Sequence, residues 1–346
     1  MTSTPSKSGT SLTSPGLGSG LSKKVIAALV MLVGAALVGI TLISNLFSVG
    51  PAFENLIVDF RPALTQSSIN TARADIAGLS AVQKEFTTKL APALSQQLNM
   101  TPAQFNGFVS QNFPAVAAGM SALPSVVPTF NGLIDTLDRQ RPLFASADAI
   151  PTKSLPATTV PWALFGAGIL VFLIGLLMLH SPRAGGSAAI VVGLVLMLAP
   201  VALSLPSKAA NADQLNANLK PVYTQGLVTN ATGALATVGA MGKEMQAKML
   251  PTLATQLKMT PQQLQTFLGS NFPATAQALQ SMPASMERFN DLVKVFYKNL
   301  SNYDTIKPVG LSRLIWTLMA AGGLLLILGL TSAWKRRRNY MESASL

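Results

Sequence analysis

The sequence predicts an all-α membrane protein: four transmembrane helices and two homologous helical extracytoplasmic domains, in a tandem parallel repeat of about 159 residues. Three observations predict it. Four apolar runs are each long enough for a helix to cross a bilayer, which takes about 20 residues. Charged residues make up only 11% of the chain, against about 25% in an ordinary soluble domain. Sequence motifs of the first half return in the second at a constant offset.

Taken in order, residues 1–24 are rich in Ser, Thr, Gly and Pro and are expected to form a disordered cytoplasmic tail. The first span is 25–47; no A-x-A site follows it, so it reads as an uncleaved anchor. An outer helical domain at 48–159 leads to the second span at 160–179 and a short cytoplasmic loop at 180–186. The third span, 187–205, contains Pro200, where a kink is expected. A second outer domain at 206–313, a fourth span at 314–334 and a basic tail at 335–346 complete the chain. No span contains Asp, Glu, Lys or Arg.

Basic flanks set the expected orientation. Lys23 and Lys24, Arg183, and the run Lys335 to Arg338 all fall on one side, giving a multi-pass plasma-membrane protein with both termini cytoplasmic. Trp162, Trp316 and Trp334 sit at span ends, where interfacial aromatics are expected.

The repeat rests on particular residues. Leu98-Asn99-Met100-Thr101-Pro102 is answered by Leu257-Lys258-Met259-Thr260-Pro261, and Asn112-Phe113-Pro114-Ala115 by Asn271-Phe272-Pro273-Ala274. Lys84-Glu85, Lys89 and Pro92 match Lys243-Glu244, Lys248 and Pro251. Apolar residues at Ile69, Ala72, Ile76, Leu79, Val82, Phe86 and Leu90 keep helical spacing, as do Val228 to Met249 in the second copy. That stripe is expected on a long helix continuing from the preceding span. Thr101-Pro102-Ala103-Gln104 and Thr260-Pro261-Gln262-Gln263 have the form of capping boxes. Asn112 is expected to close the helix so begun in a left-handed conformation.

The chemistry-bearing residues are few. The chain has no cysteine and one histidine, His180, at the end of the second span. That removes thiolate metal sites and cysteine nucleophiles, and no phosphate-binding glycine loop is present. No cofactor, metal or catalytic activity is expected. Asp135 and Asp138 could share a helix face, but their repeat mates are Lys294 and Tyr297, so a solvated face is expected. Lys84-Glu85 and Lys243-Glu244 recur, yet adjacent helical residues point apart, so pairing with other turns or solvent is expected. No ionisable residue stands inside a span to carry ions or protons.

What remains is surface and packing. Ala35 with Gly39, Ala189 with Gly193, Gly168 with Gly175, and Gly322 with Gly329 are candidates for close helix approach in the membrane. The first outer domain is neutral, with seven basic and seven acidic residues from 50 to 158; the second has ten basic and five acidic from 206 to 313. Lys243, Lys248, Lys294 and Lys298 are the candidate contact residues. The expected partners are the lipid bilayer and another membrane or envelope protein or a second copy of the chain, and not nucleic acid. The function expected is an accessory or scaffold subunit of a bacterial cell-envelope assembly. The alternative is a lipid-handling component with an apolar cavity, for which methionines 241, 245, 249, 259, 282 and 286 would form a soft lining.

Overall fold

The computed structural model describes residues 22–152 and 154–343, with side chains described as far as Trp334. The expected tail at 1–24 falls outside the description except for its last three residues, as do the side chains of the basic tail at 335–346. The described chain is helical throughout, apart from one isolated bridge between Thr152 and Leu155.

The first half runs α1 (Lys23–Ile43), α2 (Leu46–Phe60), α3 (Gln66–Glu85), a π-turn (Phe86–Leu90), α4 (Ala91–Gln97), α5 (Pro102–Asn112), α6 (Pro114–Ala147) and α7 (Thr159–His180). The second half runs α8 (Pro182–Ala202), α9 (Leu205–Leu219), α10 (Gln225–Glu244), a second π-turn (Met245–Met249), α11 (Leu250–Gln256), α12 (Pro261–Asn271), α13 (Pro273–Ile306) and α14 (Leu311–Ser343). Every boundary from Leu46 to Ala147 recurs from Leu205 to Ile306 with the same offset.

Local chemistry explains the matching limits. Thr65 and Thr224 cap α3 and α10 by accepting from the N–H of Ser68 and Leu227. Both Thr-Pro-x-Gln segments form complete capping boxes, with proline in the first turn. The helix expected to rise unbroken from the first span is instead interrupted. Asn45 takes a left-handed φ of 48° before α2, and the chain breaks again before the Thr65 cap. Ser204 repeats the first break at φ 55°. Asn112 does not close its helix in the left-handed region: it ends α5 with its Nδ2 donating to the Phe108 carbonyl, and Phe113 makes the bend at φ −135°. Besides Asn45 and Ser204, the left-handed positions are Asn99 and Lys258, two residues before the Thr of each capping box.

The chain divides into two compact units. One takes in the chain up to Ile40, Leu164–Leu198 and the chain from Leu318. Its helices wear their apolar residues outward: Leu173, Val191, Val195, Leu198 and Ile327 are all more than half exposed. A soluble unit would bury such a surface, whereas a bilayer solvates it. A smaller inner cluster, including Val30, Val171, Ala189 and Leu325, holds the helices together.

Among the described residues, four helices are long and apolar enough to cross a membrane: α1, α7, α8 and the stretch Pro273–Trp334 that ends in α14. The bent pair α5 and α6, turned through 114°, would make a fifth. However, α6 also carries Asp135, Asp138, Arg139 and Arg141, and buries its apolar face in the second unit.

That second unit, Thr41–Ala163 with Ala199–Thr317, is a helical body. Where two outer domains are expected from the repeat, both halves contribute to one unit and one apolar core. Helices α3, α6, α10 and α13 form a four-helix bundle in which each helix packs against helices of the other half as well as its own. Phe130 and Phe289, at matching positions of the two halves, meet edge to face at 5.3 Å. The six methionines proposed as a cavity lining are core residues instead: Met241, Met245, Met249, Met282 and Met286 are buried, and Met259 packs against the same core. The void beside Met286 measures only about 10 Å³.

Candidate interaction surface

The long helices α6 and α13 begin without a side-chain cap of their own, because Phe113 and Phe272 occupy the cap positions. The free N–H groups are met from the other half. Glu244, the last residue of α10, accepts from Ala115 N at 2.6 Å and Val116 N at 3.0 Å. Glu85, the last residue of α3, accepts from Thr275 N at 2.7 Å and Thr275 Oγ1 at 2.8 Å. A carboxylate at a helix N-terminus satisfies orphan donors and opposes the helix dipole. Of the two sequence expectations for these glutamates, pairing with other turns or solvent, both take the first: they are turned inward onto turns of the other half, and their recurrence at the repeat offset was the available signal.

At the opposite end of the bundle, α2 and α9 are tied in by polar contacts. Asp59 accepts from Lys298 Nζ and from Asn299 Nδ2, each at 2.9 Å. The matching position in α9, Asn218, donates to Gln140 at 2.9 Å. Burial pushes the Asp59 carboxyl up, but hydrogen bonds from Lys298 and Asn299 outweigh it and hold it below its ordinary value. Glu54 and Asp213 cap the segments that enter α7 and α14, accepting from Ala157 N and from Leu311 N and Ser312 N. Tyr223 stacks on Tyr303 at 4.5 Å within a cluster that includes Phe60 and Phe296. Burial raises the Tyr223 hydroxyl pKa well above its ordinary value, and among the described residues that hydroxyl has no hydrogen-bond partner.

The four candidate contact lysines are not equivalent. Lys243 is exposed with no ion pair among the described residues. Lys248 is 3.6 Å from Glu244, and Lys294 pairs with Asp291 one turn away. Lys298 is committed to Asp59, so its charge is largely used within the body. Asp135, exposed as expected, and the half-buried Asp138 are bridged by Arg73, each at 2.9 Å. No group of three or more His, Cys, Asp or Glu with metal-binding spacing occurs among the described residues.

Between α6 and α10 lies an open groove of about 250 Å³. Val126, Phe130 and Leu133 form one wall and Leu227, Ala231 and Ala234 the other, with Ser125, Thr129 and Asn230 supplying polar atoms. The corresponding site between α13 and α3 is filled. There Arg288, in the place of Thr129, bonds Asp75, in the place of Ala234, through two contacts of 2.9 and 2.7 Å. Ser285, in the place of Val126, donates to the same carboxylate at 2.8 Å.

Within the span unit, the small residues divide into contact and non-contact positions. A Cβ on Gly193 would stand 2.8 Å from the Gly322 carbonyl oxygen, and a Cβ on Gly322 would stand 2.8 Å from that of Gly193. Gly168 meets Val38 and Gly34, Gly175 meets Met31 and Ala27, and Gly329 meets Ile190 and Gly186. Ala189 is fully buried. Ala35 is exposed, and nothing lies within 4 Å of a Cβ built at Gly39. The glycine of α1 that packs against α7 is Gly34, which the repeat offset aligns with Gly193.

No protein-family model matches the chain, and no curated protein sequence matches it.

Proposed function

We propose that this chain is a non-enzymatic, multi-pass scaffold or accessory subunit of a bacterial cell-envelope assembly. In this reading the tandem repeat is a duplication, and the helical body lies outside the plasma membrane with both termini in the cytoplasm. The basic flanks Lys23, Lys24, Arg183 and Lys335 to Arg338 support that orientation. The observation that carries the scaffold reading is the reciprocal capping by Glu85 and Glu244. It ties the two halves into one body and takes up the two glutamates, leaving the exposed lysines for a partner.

Purification from the native membrane in mild detergent, with mass spectrometry of bound proteins and lipids, tests this. A stoichiometric protein partner is expected, and reversing charge at Lys243, Lys248 and Lys294 is expected to weaken its capture. Lys298 is left intact because it holds Asp59. Retrieval of the chain with no protein partner would overturn the scaffold reading.

The open groove between α6 and α10 favours a second reading, lipid handling, with an acyl chain as its occupant. Retrieval with a defined lipid that is lost on filling the groove would select it.

A further inference from the structure

The bundle has one end at which α3 and α10 finish and α6 and α13 begin. Five lysines belong to it: Lys84, Lys89, Lys243, Lys248 and Lys258, all exposed. The first four are two matched pairs, Lys84 with Lys243 and Lys89 with Lys248. The acids of this end are Glu85 and Glu244, the only ones from residue 76 to 134 and from 235 to 286. Both are consumed as internal caps: Glu85 is buried, and the Glu244 side chain is 9% exposed. Folding therefore removes the carboxylates from this face and leaves the ammonium groups on it. The nearest approach to a neutralising pair is Lys248 to Glu244, at 3.6 Å.

The character of the face narrows its partner. It has no arginine, so it lacks the fork that recognises a single phosphate or carboxylate in two-point fashion. Among the described residues, no exposed large apolar side chain lies between Val58 and Leu155 or between Leu203 and Tyr297. These lysines line none of the three described cavities. A surface of spaced point charges without groove, wedge or stacking ring fits a flat, mobile array of anions better than a strand held in a channel.

We propose that this end of the body docks on the surface of an anionic phospholipid bilayer, each lysine meeting headgroup phosphates. The inference rests on the reading of the helical body as lying outside the membrane that its chain spans, and it names the partner chemistry of one face.

The test uses the full chain in nanodiscs of phosphatidylcholine, floated with vesicles of phosphatidylcholine alone or enriched in phosphatidylglycerol. Flotation with the anionic vesicles only is expected, weakening as salt rises. The variant K84Q/K89Q/K243Q/K248Q is expected to lose roughly 100-fold or more in vesicle partitioning. Glutamine is a good helix former, so unchanged helicity and unfolding temperature are expected alongside that loss. A control, K220Q/K307Q, removes charge elsewhere; Lys307 caps the far end of α13, 34 residues from Pro273 and about 51 Å away. It is expected to keep binding. Equal binding to neutral vesicles, equal loss in the control, or binding to soluble polyphosphate but not to vesicles would each overturn the proposal. Failure to find a protein partner in native membranes would leave it standing, so the two readings fail separately.

Discussion

Glu85 and Thr275 are 190 positions apart in the chain, yet one carboxylate oxygen of the glutamate accepts from both the backbone N–H and the hydroxyl of the threonine. Glu244 does the same service for Ala115 and Val116, from the other half. Replacing either glutamate with alanine strands buried donors and is expected to cost about 1–3 kcal/mol of stability. The matched geometry predicts similar losses for E85A and E244A, measured by thermal unfolding in one detergent. A loss confined to one variant would show that the two caps are not equivalent.

The asymmetry of the groove gives a second expectation. Installing the filled site's residues in the open one, as T129R/A234D, is expected to close it with a new ion pair. Because Arg288 is 45% exposed in the existing pair, the coupling should be modest, about 0.5–1 kcal/mol in a double-mutant cycle. Each single variant should be neutral or destabilising, since A234D alone places a carboxylate beside an apolar wall. Zero coupling would mean that the two backbones are not superposable at this point.

Tyr223 predicts a pH effect. Its hydroxyl pKa is raised by burial. A raised pKa means that the stabilising contribution is full below the ordinary value of 10.0 and is lost as pH rises through the raised one. Y223F is therefore expected to flatten the fall in stability above about pH 10. At neutral pH it should be neutral or stabilising by up to about 1 kcal/mol, because the hydroxyl it removes has no partner. A large loss at neutral pH would reveal a bond to a bound water.

Among the glycines of the span unit, position decides. G193L and G322L would drive side chains into the facing backbone, so loss of folded protein in detergent is expected for both. G39L meets open space and should be tolerated. Fluorescence-detected size exclusion distinguishes these outcomes, and poor recovery of G39L would point to a contact with another copy or another protein.

Much of the helix plan was legible because the signals are local. The Thr-Pro-x-Gln boxes fix where α5 and α12 start, and apolar spacing marks the buried faces of α3 and α10. The join between the halves was not legible, because nothing local to Glu85 says that the donor it needs is on another helix. The tie of Lys298 was hidden for the same reason: its partner Asp59 is 239 positions away. Gly39 misled through motif spacing, whereas the repeat offset from Gly193 singles out Gly34. The break at Asn45 depends on one left-handed residue, a conformation asparagine tolerates without demanding.

Because every helix boundary from Leu46 to Ala147 has its counterpart and the caps cross between halves, a single half is self-complementary. A chain carrying only the first two spans and the segment between them would offer a second copy what it lacks itself: Glu85 of one could cap Ala115 and Val116 of the other, and Phe130 could meet Phe130. The same contacts that now act within one molecule would then form an isologous interface about a two-fold axis. In the full chain the two halves differ here, with Arg288 and Asp75 standing where the offset places Thr129 and Ala234, so one side of a pseudo-symmetric body is closed while the other stays open.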